Sequence, residues 1–270
     1  MDVLAPRNFA LASIGVPNER DSKRVTALTV LVAAERRMDA LRVGFRVPFT
    51  HGSLESRTGA TSSRDRVIGG NLSLEGAYRF LRMDALEVEG GLELALPTGA
   101  GKEQPSVADG ATMPAQSTDF GRFERWAVAR AGSAVRGAYD SSLFEPGRFG
   151  IVPKVAATYT VGKLAIQPAA KLQNLVDVTG NASRGYVGEL VVGLRASYRV
   201  LDAFAPGVHV WTNAALTRTE VANATVGVVE PFVRFPLGAV TPQIAAVVPF
   251  AGHLVDEKAF GLRGAVAGEF

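Results

Sequence analysis

The chain has 270 residues, with 29 Lys+Arg against 26 Asp+Glu, 47% hydrophobic residues, 29 Gly, 14 Pro and no Cys. The lack of cysteine excludes a disulfide scaffold, a thiolate zinc site, a thiol nucleophile and an iron–sulfur protein. A formal net charge of +3 is too mild for the basic stripe with interleaved aromatics that nucleic acid requires, so no nucleic-acid partner is expected.

At the start, MDVLAPRNF lacks the basic and apolar regions of a signal peptide, which leaves a cytoplasmic protein or a mature form whose leader was removed. Two poorly phased segments follow, NFALASIGV (8–16) and VTALTVLVAA (25–34). From residue 41 the alternation is clear: Leu41, Val43, Phe45, Val47 and Phe49 fall on one phase, Arg42, Gly44, Arg46 and Pro48 on the other. It returns over 68–80, with Ile68, Leu72, Leu74, Tyr78 and Phe80 opposed to Asn71, Ser73, Glu75 and Arg79, and over 86–96, where Leu86, Val88, Leu92, Leu94 and Leu96 oppose Glu87, Glu89 and Glu93. Spans 149–159, 164–172, 186–198, 204–214, 229–237, 240–250 and 260–270 repeat the pattern, and the apolar phase carries no charged residue in any of them.

A period of two is a strand signal. These spans run about 9–13 residues, against a usual 5–6 for soluble strands, and match the roughly 9–11 that a tilted strand needs to cross a bilayer. Aromatics on the apolar phase gather at span ends, as Phe49, Phe80, Phe149, Tyr159, Tyr186, Tyr198, Phe204, Phe235, Phe250, Phe260 and Phe270, which is where two interfacial girdles would stand. Trp211 and Phe232 are exceptions in the opposite phase. The longest charge-free run, Phe235 to Val255, carries Pro236, Pro242 and Pro249, so a spanning helix is not expected.

The closing segment, AFGLRGAVAGEF, alternates Phe260, Leu262, Gly264, Val266 and Gly268 and ends on Phe270; it resembles the C-terminal assembly signal of bacterial outer-membrane β-barrel proteins. Leu96-Pro97-Thr98-Gly99, closing a strand before a long loop, is similar to outer-membrane transporters of the phenol-degradation channel type. The resemblance implies a single domain over 1–270: an all-β, transmembrane, antiparallel up-and-down barrel of about twelve strands in the bacterial outer membrane. Its partners would be outer-membrane lipids, lipopolysaccharide and a small-molecule solute, with no cofactor.

With the C-terminus facing the periplasm, short turns are expected near 35–37, 81–83, 161–163, 201–203 and 238, and longer loops near 17–24, 50–65, 98–145, 176–184, 217–223 and 251–257. This alternation closes only if a first strand lies near 7–16 and 98–145 is one extracellular excursion. Within it, Phe120, Phe123, Ala127, Ala131, Ala134 and Ala138 recur at three and four residues, with Arg122, Glu124, Arg125 and Arg136 off the stripe. That predicts an amphipathic helix started by Ser117 or Thr118 and Asp119. Two placements stand open for it, as a plug or gate in the barrel mouth or as a surface helix over the rim.

If the apolar phase meets lipid, the other phase lines the lumen. The expected lumen residues are Arg42, Arg46, Glu75, Arg79, Glu87, Glu89, Glu93, Lys154, Lys171, Glu189, Arg195, His209, Glu230, Arg234 and Arg263, joined by Asn71, Gln167, Gln173, Asn213, Gln243 and Glu269. Acids and bases are nearly balanced, which argues against a single-sign selectivity ring and for structural ion pairs. The function expected is passive passage of small solutes, as in a porin or channel; a non-conducting barrel with binding loops and a lipolytic enzyme are the alternatives. An enzyme is not expected: His51 and Ser53 are the candidates for a nucleophile and its base, and residues two apart in a loop do not promise the required geometry. Adjacent Asp256 and Glu257 fall short of a calcium shell, so no metal site is expected. Pro153, Pro168, Pro206, Pro231 and Pro242 lie inside proposed spans and each demands a bulge or a hydrogen bond made elsewhere.

Overall fold

The structure is a computed structural model and describes residues 9–10, 23–56, 62–99, 128–129, 131–134, 136–145, 147–178, 185–217, 225–238, 240–256 and 259–268. Its strands are β1 (Phe9–Ala10), β2 (Lys23–Met38), β3 (Leu41–Ser56), β4 (Ser62–Gly69), β5 (Leu72–Arg82), β6 (Leu86–Leu96), β7 (Arg148–Val161), β8 (Leu164–Asp177), β9 (Tyr186–Tyr198), β10 (Ala205–Ala215), β11 (Thr225–Arg234), β12 (Val240–Ala251) and β13 (Gly261–Gly268). Twelve of these thirteen form one antiparallel path in chain order, and β4 lies off it against β3. The first and last strands, β1 and β13, lie side by side. This is the up-and-down order of a barrel wall. Among the described residues no helix is long and apolar enough to cross a membrane.

Several expected boundaries move. The first turn falls at Asp39–Ala40, not 35–37: β2 runs on through Glu35, Arg36 and Arg37, because Glu35 reaches Arg42 on the next strand, and Asp39 supplies the reversal at a φ of 50°. Strand β3 continues to Ser56 where a loop from residue 50 is expected, and its outer half pairs with β4. The span 68–80 is two strands, interrupted at Gly70–Asn71. There the amide of Gly70 donates to Pro48 O at 2.8 Å and that of Asn71 to Leu143 O at 2.8 Å, so the wall's hydrogen bonds turn inward to another segment. A Cβ at Gly70 would overlap the Leu143 carbonyl and the Pro48 ring, so only glycine permits this approach. Of the expected first strand only Phe9–Ala10 is described, and the helix start at 117–127 lies outside the described residues.

The prolines do not end the strands. Pro153, Pro168 and Pro231 are exposed on the outer face of β7, β8 and β11, and Pro206 and Pro242 stay within β10 and β12. Pairing between β7 and β8 passes over Val152–Pro153, and that between β11 and β12 passes over Glu230–Pro231, before each register resumes. The missing donors are thus absorbed as local gaps in a ladder that long strands carry past them.

The two faces of the wall differ as the alternation requires. Outward stand Val43, Leu92, Val155, Leu194, Ile244 and Leu262, all exposed. In water each such side chain would forgo about 1.5–3 kcal/mol of burial; against hydrocarbon it forgoes nothing. Exposed aromatics ring the belt: Phe80, Tyr159 and Tyr198 near the short-turn end, where Phe204 and Phe235 also meet with ring centroids 6.0 Å apart, and Phe49, Tyr186, Phe250 and Phe260 near the end with long connections. Phe149 is half-buried, and Phe270 lies outside the described residues.

Candidate functional site: a charged lumen and its inserted segment

The chain between β6 and β7 enters the barrel. Residues 128–129 and 131–134 are helical, and Val128, Ala129, Ala131 and Ala134 are buried, so the surface-helix placement does not hold for them. The helix stops at a glycine C-cap: the amide of Gly137 donates to Ala134 O at 2.8 Å and that of Ala138 to Ser133 O at 3.0 Å, with both residues at positive φ. Ala138 therefore belongs to a left-handed turn and not to the helical stripe that sequence spacing suggested. A polar run, Tyr139 to Ser142, and a 3-10 turn, Ser141–Leu143, lead back to β7.

The inner wall of the long-connection end is apolar where the segment packs. Trp211, Val191, Val226, Val228, Val247 and Leu254 form one cluster with Ala131 and Ala134, Leu31 meets Leu143 and Phe144, and Ile68 meets Val128. Trp211, anomalous as a lipid-facing aromatic, is explained by this contact: its indole donates to Gly137 O at 3.0 Å.

Polar anchors come from around the wall. The Asn71 amide donates to Ser142 O and Glu145 O at 2.9 Å each. The Gln173 side-chain oxygen accepts from the Ser142 amide at 3.0 Å, and its nitrogen donates to Ser141 Oγ at 2.9 Å. Asn213 donates to Ala138 O at 2.8 Å, and Ser141 Oγ donates to Glu189. Asp140 is the ionic centre: Lys171 stands 2.8 Å away, Arg136 closer, and Arg46 at 3.5 Å. Burial acts to raise its carboxyl, but Lys171, Arg136 and Arg46 outweigh that and hold it well below the ordinary carboxylate range. Lys171 also lies 3.9 Å over the Tyr139 ring, whose edge meets His209 and Trp211 at centroid distances of 5.3 and 5.5 Å.

Beside this segment lies a cavity of about 220 Å³. One wall, from β2, β3, β5, β6 and β7, is a lattice of opposite charges. Arg42 reaches Glu35 at 3.3 Å, Glu75 at 3.0 Å and Glu89 at 2.7 Å; Arg46 reaches Glu75 at 3.5 Å and also Glu93; Lys154 reaches Glu75, and Arg79 reaches Glu87 at 3.3 Å. The ladder sets Glu75 opposite Glu93 and Lys154 opposite Lys171. Like charges in register are tolerable only because Arg46 bridges the first pair, while Glu75 and Asp140 take one lysine each.

The other wall, from β9 to β13, is differently composed. His209 sits in the ladder between Arg195 and Glu230, and Arg263 reaches Glu230 at 2.6 Å. Arg195 donates to Gln243 Oε1 at 2.7 Å, and Arg234 donates to the same oxygen at 3.2 Å. Phe232, the second aromatic exception, lies under both guanidiniums at 4.3 and 5.1 Å.

The expected lumen residues thus fall into three groups: the ion-pair lattice, Lys171 and Glu189 as anchors of the inserted segment, and the arginine-bearing wall. Glu269 lies outside the described residues, as does Glu257. The candidate pair for catalysis is not a loop pair: His51 is exposed on β3, between Leu28 and Val67 in the ladder, and Ser53 lies two residues on in the same strand. His253 opens the short helix His253–Asp256. Sequence reasoning missed Tyr139, Asp140 and Ser141. Their only signal was a cluster of turn-forming polar residues between a helical stripe and a strand.

A meandering antiparallel wall, apolar outside and charged within, defines the class: the chain has the fold of bacterial outer-membrane β-barrels. No protein-family model matches its sequence, and no curated protein matches it. Among solved structures it is similar to an outer membrane channel from Pseudomonas putida F1, with a TM-score of 0.55 and 13% identity over 96% of this chain and 91% of that one. The transport unit of the autotransporter AIDA-I from Escherichia coli gives a TM-score of 0.48 at 11% identity over 96% and 88%. A KdgM porin gives 0.44 at 8% identity over 90% and 99%.

Proposed function

We propose that this barrel is a passive outer-membrane channel for small polar solutes, narrowed by the segment 128–145. The observation that carries the reading is the lumen: a cavity of about 220 Å³ bounded by charged side chains from both walls, a space that a barrel packed shut by its side chains would not leave. A solute would move by diffusion past fixed charges, exchanging its hydration for guanidinium, carboxylate and amide groups, with no cofactor and no catalytic step. The likeness to a channel of the same fold is consistent with this. The inserted segment, anchored by Asn71, Gln173, Trp211 and Asn213, favours a second reading, a non-conducting barrel. Planar-bilayer recording on the refolded chain separates the two. Reproducible single-channel steps are expected, and their absence over a range of voltages would leave the non-conducting barrel.

A further inference from the structure

The two walls of the cavity are unequal in charge. On the lattice wall the arginines and lysines named above each meet a carboxylate. On the opposite wall Arg263 meets Glu230, but Arg195 and Arg234 have no carboxylate within 4 Å among the described residues, and both converge on one neutral oxygen, Gln243 Oε1. Two cations sharing a single uncharged acceptor are short of negative charge. The side-chain Nε of Arg195 and the Nε2 of Gln243 are also shut from solvent without a hydrogen-bond partner.

The guanidiniums are held in place without such a partner. Phe232, buried in the lumen phase, offers its ring face to both, and its own position depends on Gly207, where a Cβ would strike the ring. Gly207 stands opposite Phe232 in the ladder, so the platform is written into the register of β10 and β11. Arg195 also borders the cavity. A planar fork of donors, preorganised on an aromatic face and bordering the cavity through Arg195, is the arrangement that receives an oxyanion through two parallel hydrogen bonds.

We propose that Arg195 and Arg234, supported by Phe232 and Gln243, form an oxyanion-binding site inside the lumen, for solutes bearing a phosphate or carboxylate group. The site rests on the polar-lumen reading, yet it binds whether or not the barrel conducts. The test is calorimetric titration of the refolded full chain, in a phosphate-free maltoside detergent, with inorganic phosphate at constant ionic strength. Saturable binding is expected. Arg195→Gln and Arg234→Gln should each weaken it on the order of tenfold or more, as loss of a charge-assisted hydrogen bond does. Lys163→Gln, which removes a charge from the β7–β8 turn, should leave it unchanged. Arg195→Lys keeps the charge but not the fork, and should bind more weakly than wild type while retaining its far-ultraviolet circular dichroism, so misfolding is not the cause. Absence of saturable heat, an equal loss in Lys163→Gln, or displacement of phosphate by phosphatidylglycerol added to the micelles would overturn the site. Binding without conductance would sink the channel and keep the site; conductance without binding would do the reverse.

Discussion

The indole of Trp211 donates to the backbone carbonyl of Gly137 at 3.0 Å, so a residue of the barrel wall holds the glycine that ends the inserted helix. Trp211→Phe keeps an aromatic ring, smaller than the indole, and removes the donor, leaving a buried carbonyl without its partner at a cost of about 1–3 kcal/mol. Amide exchange across 131–145 should quicken while exchange in β7 to β9 stays as in wild type. Unchanged exchange in the segment would show that the bond does not hold it.

Asp140 gathers Lys171, Arg136 and Arg46. Because its carboxyl titrates below the ordinary value near 3.9, the stabilisation it gives is complete above that value and is lost as pH falls through the lower, folded-state value. Exchange rates in 131–145, corrected for intrinsic pH dependence, should therefore be flat between pH 8 and 5 and rise only in stronger acid. Asp140→Asn removes the charge at every pH and leaves buried cations uncompensated, a loss of roughly 3–5 kcal/mol. It should exchange fast at pH 7, and a pH-independent wild type down to pH 2 would contradict the scheme.

Gly70→Ala places a methyl group against the Leu143 carbonyl and the Pro48 ring. Overpacking of this kind costs on the order of 1–3 kcal/mol, read as a lower urea midpoint of tryptophan fluorescence. Gly76→Ala, where nothing lies within 4 Å of the added carbon, is the comparison and should shift the midpoint little.

Ile244 is exposed in the middle of β12, on the outer face. If hydrocarbon meets that face, Ile244→Arg should lower the folding free energy in lipid vesicles by about 2–4 kcal/mol. An arginine tolerated there at no cost would mean that water, not lipid, surrounds the wall.

What the sequence made legible was the wall. A period of two, free of charge on one phase, separates outside from inside along most of the wall, which is why Arg42, Glu75 and Arg46 could be assigned to the lumen from the sequence. The break at Gly70–Asn71 was not legible, because Ile68, Gly70, Leu72 and Leu74 read as one phase, whereas in the structure Ile68 turns inward against Val128 and Val67 outward, the reverse of the expected facing, while Leu74 keeps the outer face. Only the carbonyls of Leu143 and Ser142, more than seventy positions away, make the kink necessary. Phe232 and Trp211 stood out as misplaced aromatics, yet Arg195, which joins Arg234 on the Phe232 ring, lies on β9, and the glycine carbonyl that Trp211 meets lies in the inserted segment. Asp140 gave no period to follow, since its role depends on three cations from separate elements.

The inserted segment is tied to the break between β4 and β5 through Asn71, to β8 through Lys171 and Gln173, and to β10 through Trp211 and Asn213. Ties from sectors so widely spaced act like spokes on a hub: the rim cannot bulge at one sector while the others stay fixed. Withdrawal of the hub must then be concerted, and its rate would rise steeply with temperature because many weak bonds have to break in the same event.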